Sequence, residues 1–92
     1  MGYKILRRRI YNNTNLLVQA DFDSENTIYE LRYVFDLAGL NITLPSNCIL
    51  KFDGGTISNG VLNLNGALVE PASHPMSDYF SSTLEVSGFK QG

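Results

Sequence analysis

The chain has 92 residues, of which 43% are hydrophobic and 17% charged, a composition that predicts one globular domain with a modest core. Its net charge of -2 argues against binding to nucleic acid, and its apolar runs are far shorter than the ~18 residues of a membrane span. The single cysteine excludes an internal disulfide. The sequence also predicts neither a cofactor nor a metal site.

Residues 1–14 are predicted to form an N-terminal anchoring arm. The arm carries a compact basic run, Arg7-Arg8-Arg9, followed by Tyr11. Three adjacent arginines at one end of a chain are either an ordinary solvated face or a contact for an acidic surface of another protein. Because no aromatic stack or glycine-rich loop accompanies the run, phosphate binding is disfavoured.

The stretch after residue 26 admits two interpretations. Helical spacing would place Ile28, Leu31 and Phe35 on one face behind a polar capping segment. A period of two fits better, because every odd position is large and apolar or aromatic, with charged residues between them. We therefore predict one long strand, whose apolar row comprises Tyr29, Leu31, Tyr33, Phe35 and Leu37.

Residues 15–70 include a series of short apolar pieces separated by turns rich in asparagine and glycine. These turns recur more often than the ~8–12 residues typical of a sandwich, and their spacing favours a parallel β-helix. We predict an all-β fold, a short right-handed parallel β-helix-like stack with flanking strands, of about one and a half to two coils. The predicted inward residues are Leu44, Ile49, Phe52, Ile57, Val61, Leu64 and Leu68.

Residues 71–92 are predicted to form a loop and a final strand. Leu84 and Val86 alternate there with polar residues and are followed by Phe89, a pattern typical of a strand with one apolar face. We expect this strand either to pair with the strand at residues 29–37 and close the structure, or to pair with a neighbouring chain.

One motif within residues 15–70 carries a resemblance. Its residues are Asn26-Thr27-Ile28-Tyr29, Asp36-Leu37 and the stretch from Ile42 to Gly55, which reads I-x-x-P-x-N-C-x-L-x-F-x-G-G. The motif resembles the opening segment, cap and first coils, of pectate-lyase-like β-helix proteins of gut Bacteroides-type bacteria and their crAss-like phages. Such proteins run on into many coils, whereas this chain ends at Gly92. The resemblance therefore implies a scaffold module, which in phage fibres is typically trimeric.

The predicted function is that of a structural virion protein, a small homotrimeric fibre or decoration protein anchored through Arg7, Arg8, Arg9 and Tyr11. Its partners would be capsid, neck or tail proteins, and its location the virion. A trimer would cover exposed strand edges and apolar side chains. The predicted oligomer interface comprises Tyr29, Leu31, Tyr33, Phe35, Leu84, Val86 and Phe89.

Two other functions compete with this one. A polysaccharide lyase would need a base and carboxylates on one face, for which Lys51, Asp53 and Glu70 are the candidates; each is better explained as a turn or outward strand residue, so we predict no enzyme. Cys48 and His74 are likewise expected to be a buried residue and a turn residue. A module that binds host-surface glycans would use aromatic side chains, namely Tyr29, Tyr33, Tyr79, Phe80 and Phe89.

Overall fold

The computed structural model describes residues 1–7, 10–11, 14–71 and 76–89, with the backbone alone at residues 10, 11 and 14. Short strands and two single-turn 3-10 helices, Gln19–Asp21 and Met76–Asp78, make up the regular structure. The strands are β1 (Gly2–Leu6), β2 (Ile10–Tyr11), β3 (Thr14–Asn15), β4 (Thr27–Leu31), β5 (Val34–Asp36), β6 (Asn41–Thr43), β7 (Ile49–Phe52), β8 (Thr56–Ser58), β9 (Gly60–Asn63), β10 (Leu68–Glu70) and β11 (Leu84–Ser87).

Three parallel sheets form the faces of a β-solenoid of about three turns. The largest sheet has the order β1-β4-β7-β10, a second has the order β6-β9-β11, and the third pairs β5 with β8. Among the described strands, only the short β2–β3 pair is antiparallel. The prediction of an all-β, parallel β-helix-like stack is confirmed. Winding begins earlier in the chain than expected, because β1 already pairs with β4.

Residues with left-handed backbone conformation turn the chain into the four-stranded sheet at each coil. Asn26, Asn47 and Gly66 hold this position, with φ values of 54°, 57° and 78°. Asparagine and glycine adopt such angles most readily. The Asn47 amide also donates a hydrogen bond of 2.6 Å to the side-chain oxygen of Asn26, which links two successive coils at the corner.

The core lies inside the three sheets, and the register of the strands decides which residues reach it. Leu6, Leu31 and Phe52 stack in one inward column, since β1 pairs with β4 and β4 with β7 in that register. Tyr29 and Leu50 stack in the next and are fully buried. The sequence-based choice of Ile49, Val61 and Leu68 as inward residues was wrong: Ile49 and Val61 are only partly buried and Leu68 is exposed, because their neighbours Leu50, Leu62 and Val69 take the inward positions.

The single strand predicted over residues 29–37 is in fact two strands, β4 and β5, in different sheets. The chain turns a corner at Arg32 and Tyr33, and Gly55 of the following coil passes directly beside it. A Cβ at Gly55 would lie 2.6 Å from the carbonyl oxygen of Leu31, so only glycine allows this approach. The alternating pattern continues through the corner because both strands bury alternate residues in the same core.

Both ends of the chain differ from the predicted organisation. Residues 2–6 of the expected anchoring arm form β1, an integral strand of the four-stranded sheet, whereas Arg8, Arg9 and the side chain of Tyr11 lie outside the described residues. The final strand, β11, pairs in parallel with β9 and not with the strand predicted at residues 29–37. It therefore continues the winding of the solenoid instead of closing it.

Candidate functional site

The outer face of the four-stranded sheet carries a row of apolar side chains, which we call the apolar column. Tyr3, Ile28, Ile49 and Leu68 lie in register on β1, β4, β7 and β10. Tyr3 is 52% and Leu68 43% exposed, and the two isoleucines between them are half-buried. Covering such apolar surface stabilises an assembly by roughly 25 cal/mol per Å2, so this face is suited to contact with another molecule.

A second row, the charged column, runs beside the apolar column on the same face. It consists of Ile5, Glu30, Lys51 and Glu70, again one residue from each strand. The sign of the charge alternates over the last three positions. Opposite charges on neighbouring strands stabilise their pairing, so this column favours the observed register.

Glu30 is the centre of a polar cluster on this face, and its side chain is only 4% exposed. The Tyr3 hydroxyl donates a hydrogen bond to one carboxylate oxygen, and Arg32 Nε donates one to the other. Lys51 Nζ lies 3.7 Å from Glu30 Oε1 and donates to the Tyr3 hydroxyl at 3.3 Å. The Glu30 carboxylate is therefore neutralised within the chain, and this part of the face presents little uncompensated charge to an approaching molecule.

These contacts shift three pKa values in the directions that favour the charged forms. The hydrogen bonds from Tyr3 and Arg32 lower the pKa of Glu30. The hydrogen bond to Glu30 raises the pKa of Arg32, and the hydrogen bond to Tyr3 raises the pKa of Lys51. These directions favour the charged forms of Glu30, Arg32 and Lys51 near neutral pH.

A cleft of about 630 Å3 lies at one edge of this face, lined by Lys51, Phe52, Asp53, Glu70 and Pro71. It brings together the three residues that the sequence suggested for a lyase, Lys51, Asp53 and Glu70. One ammonium group and two carboxylates can bind a polar ligand. The Lys51 ammonium group, however, already lies beside Glu30 and donates to the Tyr3 hydroxyl. Because these contacts favour the protonated amine, Lys51 is better suited to bind a ligand than to abstract a proton.

Side chains close the N-terminal end of the solenoid. The Gln19 amide donates to the carbonyl of Thr43 at 2.7 Å and accepts from its backbone amide at 2.9 Å, and so takes the place of a strand beside β6. Lys4, which pairs with the inward residue Tyr29, places an ammonium group 3.5 Å from Asp23 Oδ1. An inward charge on an edge strand opposes the addition of another strand.

The residues proposed for the oligomer interface fall into two groups. Tyr29, Leu31 and Phe35 are fully buried in the core of the single chain, so the prediction that they form an interface was wrong. Leu84 is also buried and Val86 partly so. Two remain accessible, but they line different clefts: Tyr33 lies beside Arg7, and Phe89 lies beside Leu68.

The aromatic residues considered for sugar binding are mostly structural as well. Tyr79 stacks on Phe52 with ring centroids 4.5 Å apart, and Phe80 meets the same ring edge-on at 5.5 Å. Rings packed together in this way stabilise the core and cannot stack on a ligand. Cys48 is buried, as predicted, and His74 lies outside the described residues.

The sequence alone did not identify the apolar column or the Glu30 cluster. Successive members of the column are 25, 21 and 19 positions apart (Tyr3, Ile28, Ile49 and Leu68). Because the spacing is uneven, the sequence shows no constant period from which the repeat of the column could be recognised. A signal was nevertheless present, because Ile28-Tyr29-Glu30, Ile49-Leu50-Lys51 and Leu68-Val69-Glu70 share the order apolar, apolar, charged.

No protein-family model matches the sequence, and neither curated proteins nor solved structures provided a match. The resemblance to pectate-lyase-like β-helix proteins therefore stays a prediction from the motif. Within the part of the chain that the structure describes, no three His, Cys, Asp or Glu side chains are grouped as metal ligands. The same residues include no helix with the length and apolar character needed to cross a bilayer.

Proposed function

We propose that this protein is a structural assembly module of a bacteriophage particle, in which three copies associate side by side through the outer face of the four-stranded sheet. The observation that carries the proposal is the apolar column. A single copy leaves Tyr3 and Leu68 about half exposed, in line with two half-buried isoleucines. Side-by-side packing would remove this apolar surface from water, and would at the same time protect the sheet from unspecific association.

The electrostatics of the same face support association of identical copies. Identical faces bring like charges together, which normally opposes contact. Here Glu30 is enclosed by Tyr3, Arg32 and Lys51. Because its charge is compensated inside each copy, the central part of the face can approach its counterpart without a large repulsion.

The oligomeric state tests the association directly. We expect sedimentation equilibrium to show a trimer at micromolar concentration, and Ile28→Thr to weaken it, since threonine keeps the branched side chain of a strand residue but adds a hydroxyl. The matched control is Val34→Thr, because Val34 is 62% exposed on β5, in a different sheet. A wild-type protein that is folded and monomeric would refute the trimer.

The assignment to a phage particle is supported by the resemblance of residues 15–70 and is tested separately. We expect the protein to be detected by mass spectrometry in purified particles. Replacing Arg7, Arg8 and Arg9 with serine is expected to leave the trimer intact but prevent incorporation, if the basic run binds an acidic surface of a capsid, neck or tail protein. Normal incorporation of this variant would exclude the basic anchor.

A second candidate function, binding of a glycan, is favoured by the cleft beside Lys51. The cleft is of the size that accommodates small ligands, and Asp53 and Glu70 could accept hydrogen bonds from sugar hydroxyls. Screening of the protein on a glycan array tests this candidate. Binding that is lost in Asp53→Asn but retained in Asp23→Asn, at an exposed aspartate outside the cleft, would support it. Turnover of a polysaccharide that survives changes at Asp53 and Glu70 would argue against a lyase site there.

A further inference from the structure

The C-terminal end of the four-stranded sheet stops at β10, which has no strand on its far side within the described residues. Leu68 and Glu70 point outward from β10 and are exposed, while Val69 points inward and packs only partly against the core. A cleft of about 170 Å3 adjoins this edge, lined by Ala67, Leu68, Val69, Met76 and Phe89. Among the described residues, no strand pairs with the backbone groups on this side of β10, and the edge also offers apolar surface; together these are the usual requirement for addition of a strand.

The chain itself shows which strand such an edge accepts. β4 presents Ile28, Tyr29 and Glu30, in the order apolar, apolar, acidic, and the residues of β7 that pair with them are apolar, apolar and basic. The basic residue, Lys51, lies 3.7 Å from Glu30 Oε1. β10 repeats the order of β4 with Leu68, Val69 and Glu70. Because all four strands are parallel, the free side of β10 corresponds to the side of β4 that β7 occupies.

We propose that β10 binds a parallel β-strand of another protein chain, and that this strand carries an apolar, an apolar and a basic residue in register with Leu68, Val69 and Glu70. The first residue would extend the apolar column and the second would cover Val69. The third would continue the alternation of charge beyond Glu70, which has no ion-pair partner among the described residues.

The first strand of a second copy does not fit this edge. In the register that β1 uses on β4, Lys4 pairs with Tyr29 and Ile5 with Glu30. The same register on β10 would place the Lys4 ammonium group against Val69 and an isoleucine against Glu70. In addition, the Gln19 side chain already occupies the edge of β6 at that end. Docking at β10 is therefore distinct from side-by-side association and does not depend on it.

The test uses the full chain and two labelled synthetic peptides. The first has the sequence of residues 46–54 with Cys48→Ser, and the second also carries Lys51→Glu. By fluorescence anisotropy we expect the first peptide to bind roughly five to ten times more tightly, because a like charge replaces an opposite one across the strands. Glu70→Lys should reverse the preference. Glu85→Lys, at an exposed residue of β11 at the same end, should leave it unchanged.

Amide hydrogen exchange shows where the first peptide binds. We expect added protection at the Val69 amide only when the peptide is present, because the Leu68 N–H is already donated to the Cys48 carbonyl on the β7 side and N–H groups alternate in direction along a strand. Equal binding of the two peptides, or an unchanged preference in Glu70→Lys, would overturn the proposal. If, without peptide, protection of β10 increased with protein concentration, the proposal would also be overturned, because the strand that binds β10 would then come from a second copy of this chain. The same titration on Ile28→Thr separates this result from the fate of the trimer.

Discussion

At the N-terminal end of the solenoid, Leu6, Leu17 and Phe22 are at most 2% exposed, whereas at the C-terminal end Phe80 and Leu84 are each 8% exposed. The N-terminal end is covered by polar groups of the chain itself, above all the Gln19 amide on the backbone of Thr43. At the other end, the described residues leave β10 and β11 as edge strands beside partly buried apolar side chains.

This difference shows how a solenoid of so few turns can cover the edge at one end with its own side chains while, among the described residues, it leaves unpaired edge strands at the other. Each coil contacts mainly its neighbours, so a terminal coil lacks half of its partners. A side-chain amide can replace the backbone groups of a missing strand, and an inward ammonium group discourages a new one. Where neither device is present, the edge keeps the pairing capacity of an interior strand.

The largest expected effect comes from removing core side chains at the two ends. Leu17→Ala is expected to lower the free energy of unfolding by about 3–4 kcal/mol, because it leaves a cavity in a fully enclosed site. Leu84→Ala should cost about 2 kcal/mol, near the lower limit for such substitutions, since water already reaches that site. Urea unfolding monitored by circular dichroism measures both, and equal losses would contradict the contrast between the ends.

A smaller effect is expected from removing the amide that closes the N-terminal end. Gln19→Ala deletes two hydrogen bonds to Thr43 and should cost about 1 kcal/mol, because the freed backbone groups can bind water. Amide exchange at Thr43 should accelerate at the same time. Ser24→Ala serves as the control, since its hydroxyl donates a hydrogen bond to the neighbouring, exposed Asp23 side chain. An unchanged exchange rate at Thr43 in Gln19→Ala would show that the amide does not protect β6.

Acid is expected to weaken the N-terminal side of the solenoid through Glu30 and Asp23. The pKa of Glu30 is lowered by Tyr3 and Arg32, and the pKa of Asp23 by Lys4. A carboxylate with a lowered pKa in the folded state contributes stability above its unfolded pKa, and this contribution is lost as the pH falls through the folded value. We therefore expect unfolding to become easier as the pH drops below about 4.5.

Urea titrations between about pH 6 and pH 3 measure this dependence. Glu30→Gln should flatten part of the decline, because glutamine does not titrate, and should lower stability near neutral pH by removing the partner of Arg32 and Lys51. Glu85→Gln, at an exposed acid of the C-terminal end, is the matched control. If the free energy of unfolding declined equally steeply with falling pH in wild type and in Glu30→Gln, other carboxylates would dominate the pH dependence.

The smallest expected effect is that of Lys4→Ala on stability. The two partners of the ion pair, Lys4 and Asp23, have side chains 41% and 60% exposed, and pairs in water contribute little to stability. We expect the free energy of unfolding to change by no more than the experimental error.

The effect of Lys4 on assembly is tested by sedimentation at high protein concentration. The combined variant Lys4→Val and Gln19→Ala removes both the ammonium group and the amide that oppose a new strand at the N-terminal end, and should begin to stack end to end. If it does not, neither group keeps that end closed.

The general fold could be predicted from the sequence because its signals are local. Asparagine and glycine mark the corners, and short alternating segments mark the strands, so a parallel β-helix-like stack was predicted correctly. The strand through residues 29–37 was not, because alternation of apolar residues is identical in one strand and in two strands that share a core. The close approach of Gly55 to Leu31, which makes the corner, joins residues that are far apart in the sequence.

The candidate site was less predictable, because it depends on register between coils. Tyr29 and Phe35 were expected at an interface as members of an aromatic row, yet both are fully buried. The residues that do face outward together, such as Tyr3 and Leu68, are each unremarkable in their local context. A strand displaced by one residue would exchange its inward and outward sets, which is why Ile49 and Leu50 could not be distinguished from the pattern alone.

The sequence by itself determined that this chain winds into short parallel strands, since turn residues recur too often for any arrangement with longer strands. Only the tertiary structure decided which side chains stack across the coils and that Glu30 is enclosed while Glu70 is exposed. It also decided that, in the described part of the chain, side chains cover the N-terminal end while β10 and β11 are edge strands at the other end. The physical reason is that turns depend on the conformational preferences of single residues, whereas columns, clusters and ends depend on hydrogen-bonded register between segments about 20 residues apart.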